Sequence, residues 1–371
     1  MVYNAIFFTT SVLSDTRAGD SIYTKQLYDT LQKNPKLNVD FYSLNSSSPQ
    51  ISKIKAIIFA MLFLPIMWRG TLNVINFCSV IFNIFKTRPE IIIVDHFRTA
   101  WISLLFKFLS PKTFVWHVSH NLESGIISTN FNENNMLINA LYKVELPKLR
   151  FFEKHIFSRV NVVTFITDED MKEAEKVIGT FNSQYSYLTP YAENVEVSVS
   201  KKVDVEYDSI IIGSFHWRLK RNNLISFLES KPSDVHDSKI LIAGSMPKQF
   251  EELIEETFSF VTVINGFESI NEFDGVAKCA ICPDLAGGGF KLKALDYLKL
   301  GLHIIAFEGQ LNGVDCKESS ISLVKSYQEM WRAMDDIRFE DVISIRHTNK
   351  TYLKKHHSKE NMKSKIFDII N

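Results

Sequence analysis

Short apolar runs alternate with longer segments of helical period along most of the chain. Asn4 to Thr9 predicts a strand. Asp20 to Leu31 predicts a helix with Ile22, Leu27 and Leu31 on one side, and Leu37 to Ser43 an alternating strand. Glu90 to Val94 is almost wholly apolar, as expected of a strand covered on both faces in a parallel sheet. Thr113 to Ser119 and Asn161 to Ile166 predict further strands, with a long amphipathic helix over Asn134 to Phe157 between them. Thr167 followed by Asp168-Glu169-Asp170 opens a helix with a good N-cap and an acidic first turn.

The pattern lapses into a polar stretch around Glu193 to Tyr207 and then restarts. Strands are predicted over Asp208 to Ile212, Lys239 to Ala243, Phe260 to Ile264, Lys278 to Pro283 and His303 to Phe307. Helices are predicted near Asn222 to Glu229, Pro247 to Thr257, Phe290 to Leu300 and Tyr327 to Ile337. Two successive β/α alternations predict an α/β protein of two doubly wound, Rossmann-like domains facing a cleft. The expected boundaries are 1–194 and 195–350, with a C-terminal helical segment 351–371 packing back on the first domain. Ligands of such sheets bind beyond the carboxyl ends of strands, so those ends are where chemistry is sought.

Two apolar stretches fall outside this alternation. Ala56 to Trp68 is too short to span a bilayer, is broken at Pro65 and is bracketed by Lys53, Lys55 and Arg69; Leu72 to Phe85 ends at Lys86 and Arg88. Each reads either as core or as a helix lying on a membrane surface. Charge adds an exclusion: 42 Lys and Arg against 42 Asp and Glu leave no basic field suited to nucleic acid. Four scattered cysteines rule out a disulfide framework, and Cys279-x-x-Cys282 sits in a predicted core strand. With an N-terminus unlike a signal peptide, the expectation is a cytoplasmic protein.

Four segments could carry chemistry. In the first, the strand ending at Pro283 meets Gly287, Gly288 and Gly289 and then a helix. A helix start with side-chain-free backbone favours an anion, Lys291 and Lys293 can reach a phosphate, and Asp296 two turns on can accept from sugar hydroxyls. The plain alternative is a glycine turn with a solvated lysine face. Gly213-Ser214 followed by Arg218, Lys220 and Arg221 offers cations at a strand end, or a solvated basic loop. Val115 to Ser119 runs out into His120, Asn121 and Glu123. The loop holding Arg17 and Gly19 is a weaker candidate for anion or substrate. No P-loop and no dinucleotide fingerprint is present.

Taken together these residues resemble the nucleotide-sugar-dependent glycosyltransferases of GT-B fold, family 4 type. Gly287-Gly-Gly-Phe-Lys-Leu-Lys-Ala-Leu-Asp-Tyr-Leu298 matches the family's glycines, basic residues and Leu-Glu-Ala segment. Leu300-Gly-Leu-His-Ile-Ile-Ala306 resembles its following strand. Gly213 to Trp217, Asp95-His96, His120 to Glu123, Leu149 to Glu153 and the Asp168 helix fall in the family's order. The chain departs from the pattern at Asp296, where a Glu is usual, at Gly288, where many members are acidic, and at His303, where a Pro is usual.

The resemblance implies a retaining enzyme. It would move a sugar from a nucleotide-diphosphate donor to a hydroxyl of a growing bacterial surface glycan, free or lipid-linked. The second domain would hold the donor through Gly213, Ser214, Lys220, Gly287 to Gly289, Lys291 and Asp296. Lys293, with Arg218 or Lys220, would stabilise the diphosphate. The first domain would hold the acceptor, with His120 at the reacting centre and Arg17, Gly19, Asn121 and Glu123 around it. No metal or other cofactor is implied, and Asp168-Glu169-Asp170 reads as a cap rather than a metal motif. Peripheral membrane contact through 54–85 is expected. A sugar-nucleotide epimerase and a non-catalytic glycan or nucleotide-sugar binder are the alternative readings.

Overall fold

The computed structural model describes residues 2–14, 19–44, 58–59, 61–129, 136–193, 195, 205–235, 238–285, 290–337 and 341–370. The chain divides into two compact units, 1–190 with 362–371, and 191–361.

The first unit is built on six parallel strands: β1 (Tyr3–Thr9), β2 (Leu37–Ser43), β3 (Ile91–Asp95), β4 (Phe114–Ser119), β5 (Val162–Phe165) and β6 (Gln184–Tyr187). Their spatial order is β2-β1-β3-β4-β5-β6. The chain winds outward from β1 to β2, then returns to lay β3 on the other side of β1, so the winding reverses between β1 and β3. Alternate side chains of these strands feed one core, with Ile6, Phe8, Ile92, Val94, Val115, Val163 and Phe165 all buried in it. Helices Val74–Thr87, Trp101–Leu109, Met136–Arg159 and Asp168–Ile178 cover that side through Val80, Trp101, Leu149 and Ala174 among others.

Helices Gly19–Gln32 and Lys359–Ile370 also belong to this unit, the latter from Met362 onward. Thr30 Oγ1 donates to Met362 Sδ at 3.6 Å, and Lys365 Nζ to the Tyr187 carbonyl at 3.3 Å. Thr167 caps its helix as expected, its hydroxyl accepting from the Asp170 amide at 3.0 Å.

Among the described residues of Ala56 to Trp68, 62–65 are not helical, so the stretch is not one helix. Ile66–Gly70 is a 3-10 turn after Pro65, with Ile66 and Trp68 buried, and Trp68 Nε1 donates to the Phe97 carbonyl at 2.8 Å. This stretch therefore contributes to the core, while Met61, Leu62 and Phe63 remain exposed.

The second unit repeats the plan with β7 (Tyr207–Ser214), β8 (Ile240–Ser245), β9 (Val261–Asn265), β10 (Ala277–Cys282), β11 (His303–Phe307) and β12 (Ile321–Val324), ordered β12-β11-β10-β7-β8-β9 and all parallel. The winding reverses between β7 and β10. Strand period divides the core cleanly. Ile210, Ile212, Leu241, Ala243, Ala280, Cys282, Ile304 and Ala306 face one cluster. Ile211, Ile240, Ile242, Cys279, Ile281, Ile305 and Phe307 face the other. Both Cys279 and Cys282 are core residues, and burial pushes their thiols up.

The first face is covered by helix Leu292–Lys299, and the second by Arg218–Glu229, Lys248–Thr257 and Tyr327–Asp335. Trp331 anchors the second face. It stacks on Phe227 at 4.7 Å and donates its Nε1 to the Phe227 carbonyl at 2.9 Å. Truncating such a residue costs about 3–5 kcal/mol.

Candidate active site

Each sheet reverses its winding once, and a crevice for ligands opens at the carboxyl ends of the strands flanking such a reversal. In the first unit those strands end at Thr9 and Asp95, with β4 and His120 alongside. The register pairs Phe8 with Val94, which sets Thr9 beside Asp95. Asp95 is fully buried. Its Oδ2 accepts from Thr9 Oγ1 at 2.7 Å and Thr24 Oγ1 at 2.8 Å, and its Oδ1 meets His120 Nε2 at 2.6 Å. Because a carboxylate only accepts, this nitrogen of His120 carries a proton.

Burial works against charge on both partners, and the pairing outweighs it on both. The Asp95 carboxyl is kept below the usual carboxylate range, and the His120 imidazole is raised above that of an ordinary histidine. Tyr23 sets its ring edge-on to His120 at 5.0 Å, and its hydroxyl is held by the Leu188 carbonyl at 2.8 Å.

His96 stacks on His120 with ring centroids 4.0 Å apart. It follows β3 at φ 76°, a left-handed backbone unusual for a side chain larger than glycine and typical of strained functional positions. Its Nε2 lies 3.2 Å from Asp20 Oδ2. That hydrogen bond, against the opposing effect of burial, draws the Asp20 carboxyl down to about 2. The Nδ1 atoms of His96 and His120 are buried without a hydrogen-bond partner among the described residues. Such atoms are waiting for water or a ligand.

Asp20, His96 and His120 could each offer one ligand atom to a metal within 4.8 Å of the others. The fit is poor, because nearly parallel stacked rings, 22° apart, do not converge their in-plane lone pairs.

Behind this layer sit two more buried carboxyls. Glu123 opens helix Glu123–Thr129, and burial raises it. Glu153 accepts from the Ser124 amide at 3.2 Å, and burial pushes it up to about 8. His117, buried in β4, is pushed down to about 3 and stays neutral.

In the second unit the reversal lies between Ser214 and Cys282. Pro283 and Asp284 follow β10, and the Tyr327 hydroxyl donates to the Pro283 carbonyl at 3.2 Å. Lys293, in the first turn of its helix, is 2.5 Å from Asp284 Oδ2. Burial works against both charges and the pairing outweighs it, so Lys293 is raised and Asp284 lowered. Lys220 and Lys291 stand within electrostatic reach of the pair. Both are lowered, first by burial and then in part by repulsion from the other lysines. Three lysines thus share one carboxylate. Asp296, half-buried on the same helix, is raised by burial to about 6. Tyr297 Oη ties this helix to β7, accepting from the Ile212 amide at 2.7 Å.

Gly213 lies where β7 meets β8. Across from it, Gly244 has φ +145°, and a Cβ there would stand 1.8 Å from the Gly213 carbonyl oxygen, so no side chain is possible. Ser214 is exposed. Arg218, Lys220 and Arg221 stand just beyond the β7 strand end but in a helix rather than in the solvated loop that was the alternative. They make the first turn of helix Arg218–Glu229, where Arg221 Nη1 donates to the Phe215 and His216 carbonyls at 3.1 and 2.7 Å and closes the strand-to-helix turn. Arg218 is exposed, so of the residues expected to stabilise charge Lys293 and Lys220 are built into the cluster and Arg218 is not.

No protein-family model matches the chain, and no curated protein sequence does. Solved structures match along its whole length. Sucrose-phosphate synthase from Thermosynechococcus elongatus gives a TM-score of 0.69 at 13% identity, over 99% of this chain and 98% of that one. TarM gives 0.65 at 10% identity, over 100% and 99%. Anabaena HepE in complex with UDP-glucose gives 0.64 at 9% identity, over 99% of both. The fold is GT-B.

Of the residues predicted from sequence, this GT-B chain brings Lys220, Lys291 and Lys293 into one cluster, with Asp296 on the same helix as Lys293. His120 and Glu123 are gathered in the other. Asn121 accepts from Ser119 Oγ through its backbone carbonyl at 2.9 Å, and its side chain takes no part in that bond. Gly19 begins helix Gly19–Gln32 at the surface. Arg17 and Gly287 to Gly289 lie outside the described residues. Sequence reasoning did not assign Asp284 a role, nor the Asp95, Thr9 and Thr24 set. Asp284 could have been found as the first carboxylate beyond the β10 strand end.

Proposed function

We propose that the chain is a glycosyltransferase. It moves a sugar from a nucleotide-diphosphate donor to a hydroxyl of a growing bacterial surface glycan, with retention at the anomeric carbon and without a metal. The observation that carries this reading is the lysine cluster at the β7/β10 reversal. Lys220, Lys291 and Lys293 hold more positive charge than Asp284 can balance, in a partly buried place. A diphosphate relieves their mutual repulsion, and as a leaving group it gathers charge that fixed cations stabilise without reorganising. The fold neighbour HepE in complex with UDP-glucose supports a donor of this kind.

In this reading Asp296 takes ribose hydroxyls, and Gly213, Ser214 and Gly287 to Gly289 supply backbone around the diphosphate. The first unit receives the acceptor. His120, held in one orientation by Asp95, lies at the reacting centre, with Arg17, Gly19, Asn121 and Glu123 around it. The acceptor is lipid-linked, and residues 54–85 meet the inner face of a membrane.

The test is a thermal-shift series with nucleoside diphosphates and nucleotide sugars, followed by donor hydrolysis. A cognate nucleotide at a hundred times its dissociation constant stabilises the fold by about 2.7 kcal/mol. Slow release of nucleoside diphosphate without acceptor supports the transferase. Binding with no turnover, even with glycan extracts, refutes it in favour of a non-catalytic binder.

A further inference from the structure

Helix Val74–Thr87 carries its polarity reversed. Its inner side holds Asn76 and Asn83, 4% and 3% exposed, beside Val80. Asn76 Nδ2 donates to the Thr71 carbonyl at 2.8 Å, and Asn83 Oδ1 accepts from the Tyr42 hydroxyl. Outward stand Val74, Ile75, Phe82 and Phe85, 78%, 77%, 66% and 76% exposed. At helical spacing these residues share one side within an arc of about 100°. A helix facing water does the opposite.

The neighbouring helix continues the surface. Phe77 stacks on Trp101 at 6.4 Å, and helix Trp101–Leu109 ends with Phe108 and Leu109 exposed. Because Val80, Trp101 and Phe106 enter the same core cluster, both helices lie on one side of the sheet. The two helices lead into the adjacent central strands β3 and β4, so Phe85 and Phe108 come near the amino-terminal ends of those strands, opposite the strand ends at Asp95 and His120.

Charge selects what covers this face. Helix Val74–Thr87 contains no acidic residue and has Lys86 in its last turn, with Arg88 following; exposed Asp40 meets the same end, accepting from Thr87 Oγ1 at 3.1 Å. No acidic residue occurs between Asp95 and Glu123, which enclose Arg98, Lys107 and Lys112. A second copy would oppose these bases with bases, whereas anionic headgroups complement them. Among the described residues no helix is long and apolar enough to cross a membrane.

We propose that the outward face of Val74–Thr87, extended by Phe108 and Leu109, lies flat in the interface of an anionic membrane. The proposal rests on the reading above for its purpose, which is to keep the chain at the surface that carries a lipid-linked acceptor.

The full chain is tested by flotation, at low salt, with vesicles of equal parts phosphatidylcholine and phosphatidylglycerol, and with phosphatidylcholine alone. It is expected to float with the mixed vesicles and to be released by high salt. Phe82→Ser with Phe85→Ser should weaken binding about tenfold per phenylalanine, and Lys86→Glu about fivefold or more. The variants should keep the nucleotide thermal shift of the parent. The proposal is overturned if the parent stays at the bottom at low salt, or if the double variant floats as well as the parent. It is overturned too if ultracentrifugation finds a dimer that the double variant dissolves. Donor binding is read separately: a chain that shifts with nucleotide but never floats loses only the membrane face, and one that floats but binds no nucleotide loses only the transferase.

Discussion

At the β1/β3 reversal one buried carboxylate, Asp95, is met by an imidazole and two hydroxyls; at the β7/β10 reversal one carboxylate, Asp284, faces three lysines. The sheets that present these groups are alike, six parallel strands each with one change of winding. The difference is in where the compensating charge comes from. The first cluster is closed: every charge on Asp95 is answered by the protein, so it orients an imidazole but exerts little pull on a charged ligand. The second is open, and its remaining positive charge is answered only when an anion arrives. A closed cluster stakes stability on its members, and an open one stakes activity.

The largest effect that follows is on folding. Asp95→Ala leaves His120, Thr9 and Thr24 buried without their acceptor, and removing one partner of a buried pair costs about 3–5 kcal/mol. Urea unfolding measures it, and a loss below about 1 kcal/mol would show that the first cluster is not closed. Next, Lys293→Ala should lower the transfer rate roughly 10- to 150-fold, from the loss of a charge-assisted bond worth about 1.5–3 kcal/mol. The fold should stand, since Lys220 and Lys291 remain beside Asp284. Initial rates with donor and acceptor decide this, and unchanged turnover removes Lys293 from the mechanism.

A smaller effect sharpens the picture of the first unit through pH. Glu153 keeps its proton up to about 8 when folded and releases it near 4.5 when unfolded. The folded state therefore binds more protons between those values, and stability falls as pH rises, by at most about 1.4 kcal/mol per pH unit. His117 has the opposite sign, gaining stability with pH between about 3 and 6.5, and is silent above that range. His120, raised by Asp95, also loses stability as pH rises through its folded value. Glu153→Gln removes one slope and leaves the others. The difference between the two stability curves from pH 6.5 to 8 should decline steadily, and parallel curves would contradict it. Smallest of all, a chelator should leave the transfer rate essentially unchanged if lysines alone answer the diphosphate. Loss that magnesium or manganese restores would mean the open cluster takes its charge from elsewhere.

Central strands were legible because both their faces are buried, which writes continuous apolar runs such as Ile91 to Val94. Edge strands β6 and β12 escaped notice because they lack that cover. Gln184–Tyr187 and Ile321–Val324 are short and include polar residues that one covered face does not forbid. The start of helix Arg218–Glu229 was hidden because no side chain caps it and its first turn holds three cations, against the dipole. Lys293 and His120 could be singled out because each follows a strand end in the sequence. The Thr9–Asp95 bond joins residues 86 apart, and only strand order makes them neighbours. The reversed polarity of Val74–Thr87 was half legible: its apolar content was plain, but which side turned inward depended on Tyr42 and Thr71 as partners for its asparagines.

Helix Lys359–Ile370 carries a consequence for synthesis. It is made after the whole of 191–361, yet from Met362 onward it belongs to the first unit, where Met362 meets Thr30 and Lys365 meets Tyr187. On the ribosome the first unit must therefore wait, with the Thr30 side of helix Gly19–Gln32 uncovered, until the second has emerged. Emergence of helix Lys359–Ile370, not completion of the first sheet, is the event that finishes it.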